Sequence, residues 1–161
     1  MSLKFRFSRR FLVCALLTLL WMTVIFLFSS QNGEESAGLS AQLLAFLCGI
    51  FHYTPSPDTA SLLTLLLRKA AHMTEFGILA LLWLGTLRSG FGRFRGMYPA
   101  AFAAASLYAA TDELHQLFVN ERAGQFADWL IDSAGALLFL LAVWVIARFM
   151  RRPTQEKGNN R

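Results

Sequence analysis

Four apolar stretches alternate with polar connections along the chain. The first, residues 11–28, has no charged residue, whereas residues 62–87 and 126–147 carry a few ionisable groups. At about 1.5 Å of rise per residue, each is long enough to cross a hydrocarbon core of about 30 Å. Residues 97–119 form a fourth span if the polar residues at its end belong to the helix. This pattern predicts an all-α integral membrane protein, a bundle of four transmembrane helices.

A shorter helical pattern lies between the first and second spans. Apolar residues recur at helical spacing over residues 39–53, a stretch too short to span a membrane. We therefore expect an extra amphipathic helix on the outer side. Before it, Asn32-Gly33 predicts a turn. After it, Ser56 is the expected N-cap of the next helix, with Pro57 in its first position.

The charges predict the orientation. The chain is 55% hydrophobic with a net charge of +5, and most Lys and Arg lie before the first span, between the second and third, and after the fourth. Because basic loops stay on the cytoplasmic side, we expect a multi-pass protein of a bacterial cytoplasmic (inner) membrane with both termini cytoplasmic. The basic charge is explained by topology, so no nucleic-acid partner is expected. We expect residues 1–152 to form a single membrane domain and residues 153–161 to form a disordered cytoplasmic tail.

Several ionisable residues share one depth near the outer ends of the spans. Counting from the basic inner boundaries, Glu75 lies roughly 20 Å up, and His72, Asp112 and Asp132 roughly 24 to 26 Å up. Charged groups facing lipid cost several kcal/mol, so we expect these residues to face each other or an outer opening. Others lie at the same layer or just outside it: Arg68, Lys69, Glu113, His115, Gln116, Arg122 and Asp128.

A structural interpretation explains part of this pattern without any chemistry. Arg68 and Lys69 can be interfacial charges whose heads reach toward water, and Glu113 and Glu121 ordinary loop acids. A salt-bridge network joining three helix ends would account for the following residues: Lys69, Glu75, Asp112, Arg122 and Asp128. His72, Asp112 and Asp132 lie well within the spans and are harder to explain in this way.

Two stretches, RKAAHMTEFGILAL and TDELHQLFVNERAGQFADWLIDSAGAL, resemble the signature regions of the VanZ-like membrane family, and FSSQ resembles its usual ending of span one. The likeness runs from about Ser29 to Leu138. The family takes its name from a glycopeptide-resistance accessory protein associated with reduced susceptibility to teicoplanin, which implies a cell-envelope context. Its recurrent polar positions and glycine match Lys69, His72, Glu75, Asp112, Glu113, Gln116, Arg122, Asp128 and Gly135.

This sequence departs from the family pattern at three places. Phe76 stands where Tyr is common, which removes a hydroxyl group. Asn120 and Glu121 replace a Pro-Gly pair. Asp132 stands where Asn is usual, which adds an acid, so the balance of protons or ligand groups at the site can differ here.

The first functional hypothesis is a binding or shielding protein. An outer-leaflet pocket would recognise a membrane lipid, a lipid-linked cell-wall precursor or a lipophilic glycopeptide, and could lower susceptibility to teicoplanin-type antibiotics. Basic side chains suit phosphate, and carboxylates suit amines or sugar hydroxyls. The expected ligand-binding residues are Lys69, His72, Glu75, Asp112, Glu113, His115, Gln116, Arg122, Asp128 and Asp132.

The alternative is a membrane-embedded hydrolase or transferase acting on a lipid-linked envelope substrate. Asp112 or Glu75 would be the general base, with His72 or His115 as its proton-transfer partner. The candidate catalytic cluster is His72, Glu75, Asp112 and Asp132. It lacks the spacing of known metal motifs, so neither a metal nor another cofactor is expected. Four helices leave little room for a transport pathway unless the chain forms homo-oligomers, and the oligomeric state stays open.

Overall fold

The computed structural model describes residues 4–122 and 124–150, and this part of the chain is all α-helical, as predicted. By length and composition, α1, α3 and α5 could cross a membrane. The predicted tail, residues 153–161, lies outside the described residues. The five helices are α1 Arg9–Ser29, α2 Gly33–Phe51, α3 Pro57–Phe91, α4 Met97–Gln116 and α5 Phe126–Phe149.

Helices α1, α3, α4 and α5 pack side by side with alternating chain direction. The start of α1 meets the end of α3, where Phe11 lies against Gly90. The second halves of α1 and α4 run together, since the Tyr108 hydroxyl donates to the Met22 carbonyl at 2.7 Å. Chain directions therefore put the start of α1 and the ends of α3 and α5 at one end of the bundle. That end is called the basic end, and the opposite one the polar end.

Helix α4 packs into the core mainly through small alanine side chains, unlike the other three bundle helices. Phe76 and Leu79 of α3 are fully buried, and α4 meets them with Ala101, Ala105 and Ala109, none of which is exposed. Small side chains let helices approach closely, which suits packing between helices within a membrane. Alanine and the acids near its end also make α4 less apolar, and it is not among the helices that could span by composition.

The helix predicted over residues 39–53 begins earlier, and the predicted turn at Asn32-Gly33 is wrong. The Asn32 side chain accepts from the Glu35 backbone N–H at 2.8 Å, and the Glu35 carboxylate accepts from the Asn32 N–H at 3.2 Å. This capping box starts α2 at Gly33. His52, with φ 50°, ends it in the left-handed conformation.

Helix α2 packs against the first part of α3 and does not lie apart from the bundle. The exposed surface of α2 includes large apolar side chains, with Phe46 66% exposed and Phe51 75% exposed. The start of α3 is as predicted, because Ser56 accepts from the Thr59 N–H at 3.4 Å and Pro57 is in the first turn. At 35 residues, α3 is about 50 Å long, and because Lys69 pairs with Asp128 near the start of α5, the first turns of α3 extend past the start of α5.

Candidate functional site

A polar pocket of about 190 Å³ opens at the polar end of the bundle. Three helices and the connection between α4 and α5 form its walls. Both acids and bases line it, together with one isoleucine. The lining residues are Arg68, Lys69, His72, Glu113, Gln116, Glu121, Arg122, Gln125, Asp128, Ile131 and Asp132.

Helices α3 and α5 run parallel along one wall and pair their polar residues in order. The Lys69 ammonium forms an ion pair with the Asp128 carboxylate. One turn further along, His72 Nδ1 lies 3.9 Å from Asp132 Oδ1. This register depends on Gly135, because a Cβ there would overlap the backbone of Met73.

Helix α4 forms the opposite wall and anchors the connection that follows it. The Glu113 carboxylate accepts from the Gln125 N–H at 2.7 Å. Gly124 packs against the Glu113 carbonyl, where a Cβ would overlap. Glu113 therefore helps to fix the segment that carries Arg122.

Asp112 belongs to a buried network that joins α4 to α1. Gln116 Nε2 donates to Asp112 Oδ2 and to Ser29 Oγ, both at 3.0 Å. Asp112 is 4% exposed and Ser29 is 1% exposed. Because these contacts hold Asp112 behind Gln116, it supports the pocket wall and does not line the pocket.

Two buried polar atoms in the lining have no hydrogen-bond partner among the described residues. They are Oδ2 of Asp132, a residue that is 1% exposed, and Nε of Arg122. Leaving such a group unpaired costs about 1 to 3 kcal/mol, and more for a charged group. One acceptor and one donor, both in residues that line the pocket, are therefore left unsatisfied among the described residues.

Arg122 is the central base of the pocket. Burial and then the neighbouring charge of Arg68 lower the pKa of its guanidinium, while Asp112, Glu113 and Glu75 act in the opposite direction. Two guanidinium groups close enough to repel each other favour an anion between them. Both can donate several hydrogen bonds to phosphate oxygens.

A second cavity of about 160 Å³ adjoins the pocket between α1, α2 and α3. It shares Arg68, His72 and Arg122 with the polar pocket. Its other residues are mostly apolar, such as Phe28 and Leu43. The shared residues therefore stand between a polar compartment and an apolar one.

The structure brings most of the predicted ligand-binding residues to the polar pocket, but not all. Glu75 lines the adjoining apolar cavity. His115 lies away from both cavities, stacked on Phe26 at 4.6 Å between ring centres, with Nε2 3.1 Å from Ser30 Oγ. The residues of the expected ligand set that line the pocket are Lys69, His72, Glu113, Gln116, Arg122, Asp128 and Asp132.

The expected ligand set omitted four lining residues. Arg68 was recognised at the same depth, and its place one turn before His72 could have assigned it to the pocket. Glu121 and Gln125 lie in the connection, where helical spacing gives no information about facing. Ile131 has no polar signal at all. No group of three or more His, Cys, Asp or Glu residues that could hold a metal ion occurs within the described ranges.

A comparison with protein families matches the VanZ/LLP1 family over residues 14–148. The chain belongs to the VanZ/LLP1 family. No curated protein and no solved structure matches it significantly. The matched region contains the four bundle helices except the first residues of α1 and the last residue of α5, and it contains the whole polar pocket.

Two departures of this VanZ/LLP1 protein from the expected family pattern have a visible structural consequence. Glu121 replaces the glycine of a Pro-Gly pair and has a φ of 59°, a conformation that favours glycine. Asp132, in place of the usual asparagine, supplies the unpartnered carboxylate oxygen. The third, Phe76, is fully buried, with its ring centre 6.4 Å from that of Tyr108.

Proposed function

We propose that this VanZ/LLP1 protein crosses the cytoplasmic membrane four times and binds the phosphate-bearing headgroup of a cell-envelope lipid in its polar pocket. The polar end faces outward and the basic end faces the cytoplasm, as expected from the distribution of Lys and Arg. Helix α4 is the remaining span, since it is packed among the three apolar helices. The pocket then lies at the outer leaflet.

The two unpartnered buried atoms are the observation that carries the proposal. Arg122 Nε needs an acceptor and Asp132 Oδ2 accepts from a donor. A phosphate bound between Arg122 and Arg68 satisfies the first requirement. A hydroxyl or amine on the same headgroup satisfies the second. Lipid phosphates that carry a sugar or an amine combine both groups.

The size of the pocket limits what enters it. Its volume of about 190 Å³ is below the roughly 300 to 1,000 Å³ of sites for drug-sized ligands. A headgroup fits, whereas a whole lipoglycopeptide does not. Any reduction in susceptibility to a teicoplanin-type antibiotic would therefore result from the protein binding or shielding a wall precursor. It would not result from capture of the antibiotic in this pocket.

The adjoining cavity supports a ligand with a hydrocarbon chain. Phe28 of α1 and Leu39 and Leu43 of α2 line it beside Arg68 and Arg122. A chain attached to a phosphate at the two arginines can leave through this cavity towards the lipid. The same arrangement would not be needed for free phosphate.

The test compares a polyprenyl phosphate with the polyprenyl alcohol of the same chain length, using the purified full chain in nanodiscs. The phosphate is expected to bind more tightly by tenfold or more, because a hydrogen bond to a charged group contributes about 1.5 to 3 kcal/mol. Arg122→Gln should remove most of this difference. Arg95→Gln is the matched control, since Arg95 lies at the basic end between α3 and α4. Equal binding of phosphate and alcohol would refute the proposal.

A second candidate is a hydrolase or transferase, favoured by the His72–Asp132 pair. His72 Nδ1 lies 3.9 Å from Asp132 Oδ1, and both residues line the pocket. Asp132 is thus placed to orient His72 as a proton acceptor, whereas Asp112 is hydrogen-bonded to Gln116 and does not line the pocket.

Turnover of a polyprenyl diphosphate separates the two candidates. In hydrolysis, His72 accepts a proton from water, the water oxygen adds to the terminal phosphorus, and the bond from that phosphorus to the bridging oxygen breaks. Inorganic phosphate is released, and polyprenyl monophosphate leaves with the bridging oxygen and takes up the proton. If the chain is a hydrolase, His72→Gln should lower this release by about a hundredfold or more while binding persists. Tight binding of the diphosphate without any phosphate release by the unmutated chain would contradict hydrolase activity.

A further inference from the structure

A groove on the exposed surface of α4 and α5 leads from the middle of the bundle to its basic end. It has a volume of about 390 Å³ and an almost entirely apolar surface. Leu140, at its floor, is 3% exposed, whereas Leu137 and Leu141 are nearly half exposed. The complete lining is Tyr98, Pro99, Phe102, Leu137, Leu140, Leu141 and Trp144.

The groove ends in a second, basic cavity of about 330 Å³. Tyr98 and Trp144 line both cavities, so the two form one continuous surface. Arg93, from the connection before α4, and Arg148, from the last turn of α5, line the basic cavity, and no acidic residue does among the described ones. The Arg148 guanidinium carbon lies 5.7 Å from the centre of the Trp144 ring.

We propose that this surface binds one anionic phospholipid, with its phosphate between Arg93 and Arg148 and an acyl chain in the α4–α5 groove. Neither guanidinium group forms an ion pair with a described residue, and guanidinium groups at a membrane surface attract an anionic headgroup. Tyr and Trp are the residues that favour the boundary between headgroups and hydrocarbon, and here they mark the change from basic to apolar lining. The groove below them is shaped and apolar, as an acyl chain requires.

This site is distinct from the polar pocket. The lining residues of the two have no member in common, and they lie at opposite ends of the bundle. The proposal does not depend on which end faces the cytoplasm, because it needs only a bilayer around α4 and α5. It therefore shares with the proposed function only the membrane crossing of α4, and lipid binding at this site is tested separately from binding in the polar pocket.

The experiment measures lipid retention by native mass spectrometry of the full chain released from nanodiscs of equal phosphatidylglycerol and phosphatidylcholine content. We expect one phosphatidylglycerol to be retained in preference to phosphatidylcholine. The double variant Arg93→Gln/Arg148→Gln should lower this preference by about tenfold. Arg88→Gln/Arg95→Gln removes the same charge near the same end, outside the cavity lining, and should leave the preference largely intact.

Three results would overturn the proposal. Equal retention of the two lipids by the unmutated chain would exclude an anionic site. An unchanged preference in the Arg93→Gln/Arg148→Gln chain would place the lipid elsewhere, and if this chain does not fold, the single variants Arg93→Gln and Arg148→Gln decide the same point. Displacement of the lipid by an equal concentration of water-soluble glycerophosphoglycerol would show that the groove adds nothing.

Discussion

Glu121 lies in the connection between α4 and α5 with strained backbone geometry. Its φ of 59° costs a residue with a Cβ roughly 1 kcal/mol relative to glycine. Among the described residues, its carboxylate accepts one long hydrogen bond, 3.4 Å, from the Glu34 N–H. We therefore expect Glu121→Gly to stabilise the protein by up to about 1 kcal/mol, measured as a rise in thermal unfolding midpoint in detergent.

Asn120→Gly is the control for that substitution. Asn120 is not among the described residues with positive φ, so glycine there only adds freedom to the unfolded chain. It should destabilise by about 0.5 to 1 kcal/mol. If both glycine variants lower the midpoint equally, backbone strain at Glu121 is not significant.

At the residue scale, position along a helix was easier to predict from the sequence than the direction in which a side chain points. Counting the helical rise placed His72, Asp112 and Asp132 in one layer, and the structure brings them to one end of the bundle. However, a residue's height does not say which neighbouring helix it faces. Packing against α1 turned His115 towards Phe26, a contact with no signal in the sequence, whereas the contact of Asp112 with Gln116 follows from their spacing of four residues on one helix.

At the scale of helices, the contact of α3 with α5 sets the pocket. Gly135→Ala would place a Cβ on the Met73 backbone, and backbone cannot move aside as a flexible side chain can. We expect a loss of about 1 to 3 kcal/mol in unfolding free energy. The displacement should also weaken binding of polyprenyl phosphate, because Lys69–Asp128 and His72–Asp132 depend on the same register.

Gly38→Ala is the matched control for Gly135→Ala. Gly38 lies within α2, and a Cβ there would have no neighbour within 4 Å. Alanine in a helix interior should therefore stabilise by up to about 1 kcal/mol. Thermal unfolding of both variants in the same detergent gives opposite shifts if the α3–α5 contact is as tight as described, and a stable Gly135→Ala protein would contradict it.

Helix boundaries were predictable where caps or apolar runs define them and less so elsewhere. Ser56 and Pro57 marked the start of α3, and the apolar runs located α1 and α5. The start of α2 was missed because Asn32-Gly33 fits a turn as well as a helix N-terminus. The reciprocal pairing of Asn32 with Glu35, three residues later, is the sequence feature that distinguishes the two.

At the scale of the whole molecule, the membrane crossing of α4 decides where the polar pocket lies. Its alanine-rich buried face suits close packing, although α4 is less apolar than the other three bundle helices. If α4 crosses, Asn120 and Arg95, which flank it and are both exposed, lie on opposite sides of the membrane.

Cysteine labelling in intact cells tests this arrangement. With Cys14 and Cys48 replaced by serine, Asn120→Cys should react with a membrane-impermeant maleimide, and Arg95→Cys should react only after permeabilisation. The positive-inside rule predicts this sense of insertion, because the basic residues are concentrated at the end that carries Arg95. Labelling of both positions from outside would mean that α4 does not cross. Labelling of Arg95→Cys alone would mean that the protein is inserted in the opposite orientation. The polar pocket would then face the cytoplasm, and an envelope lipid of the outer leaflet could not be its ligand.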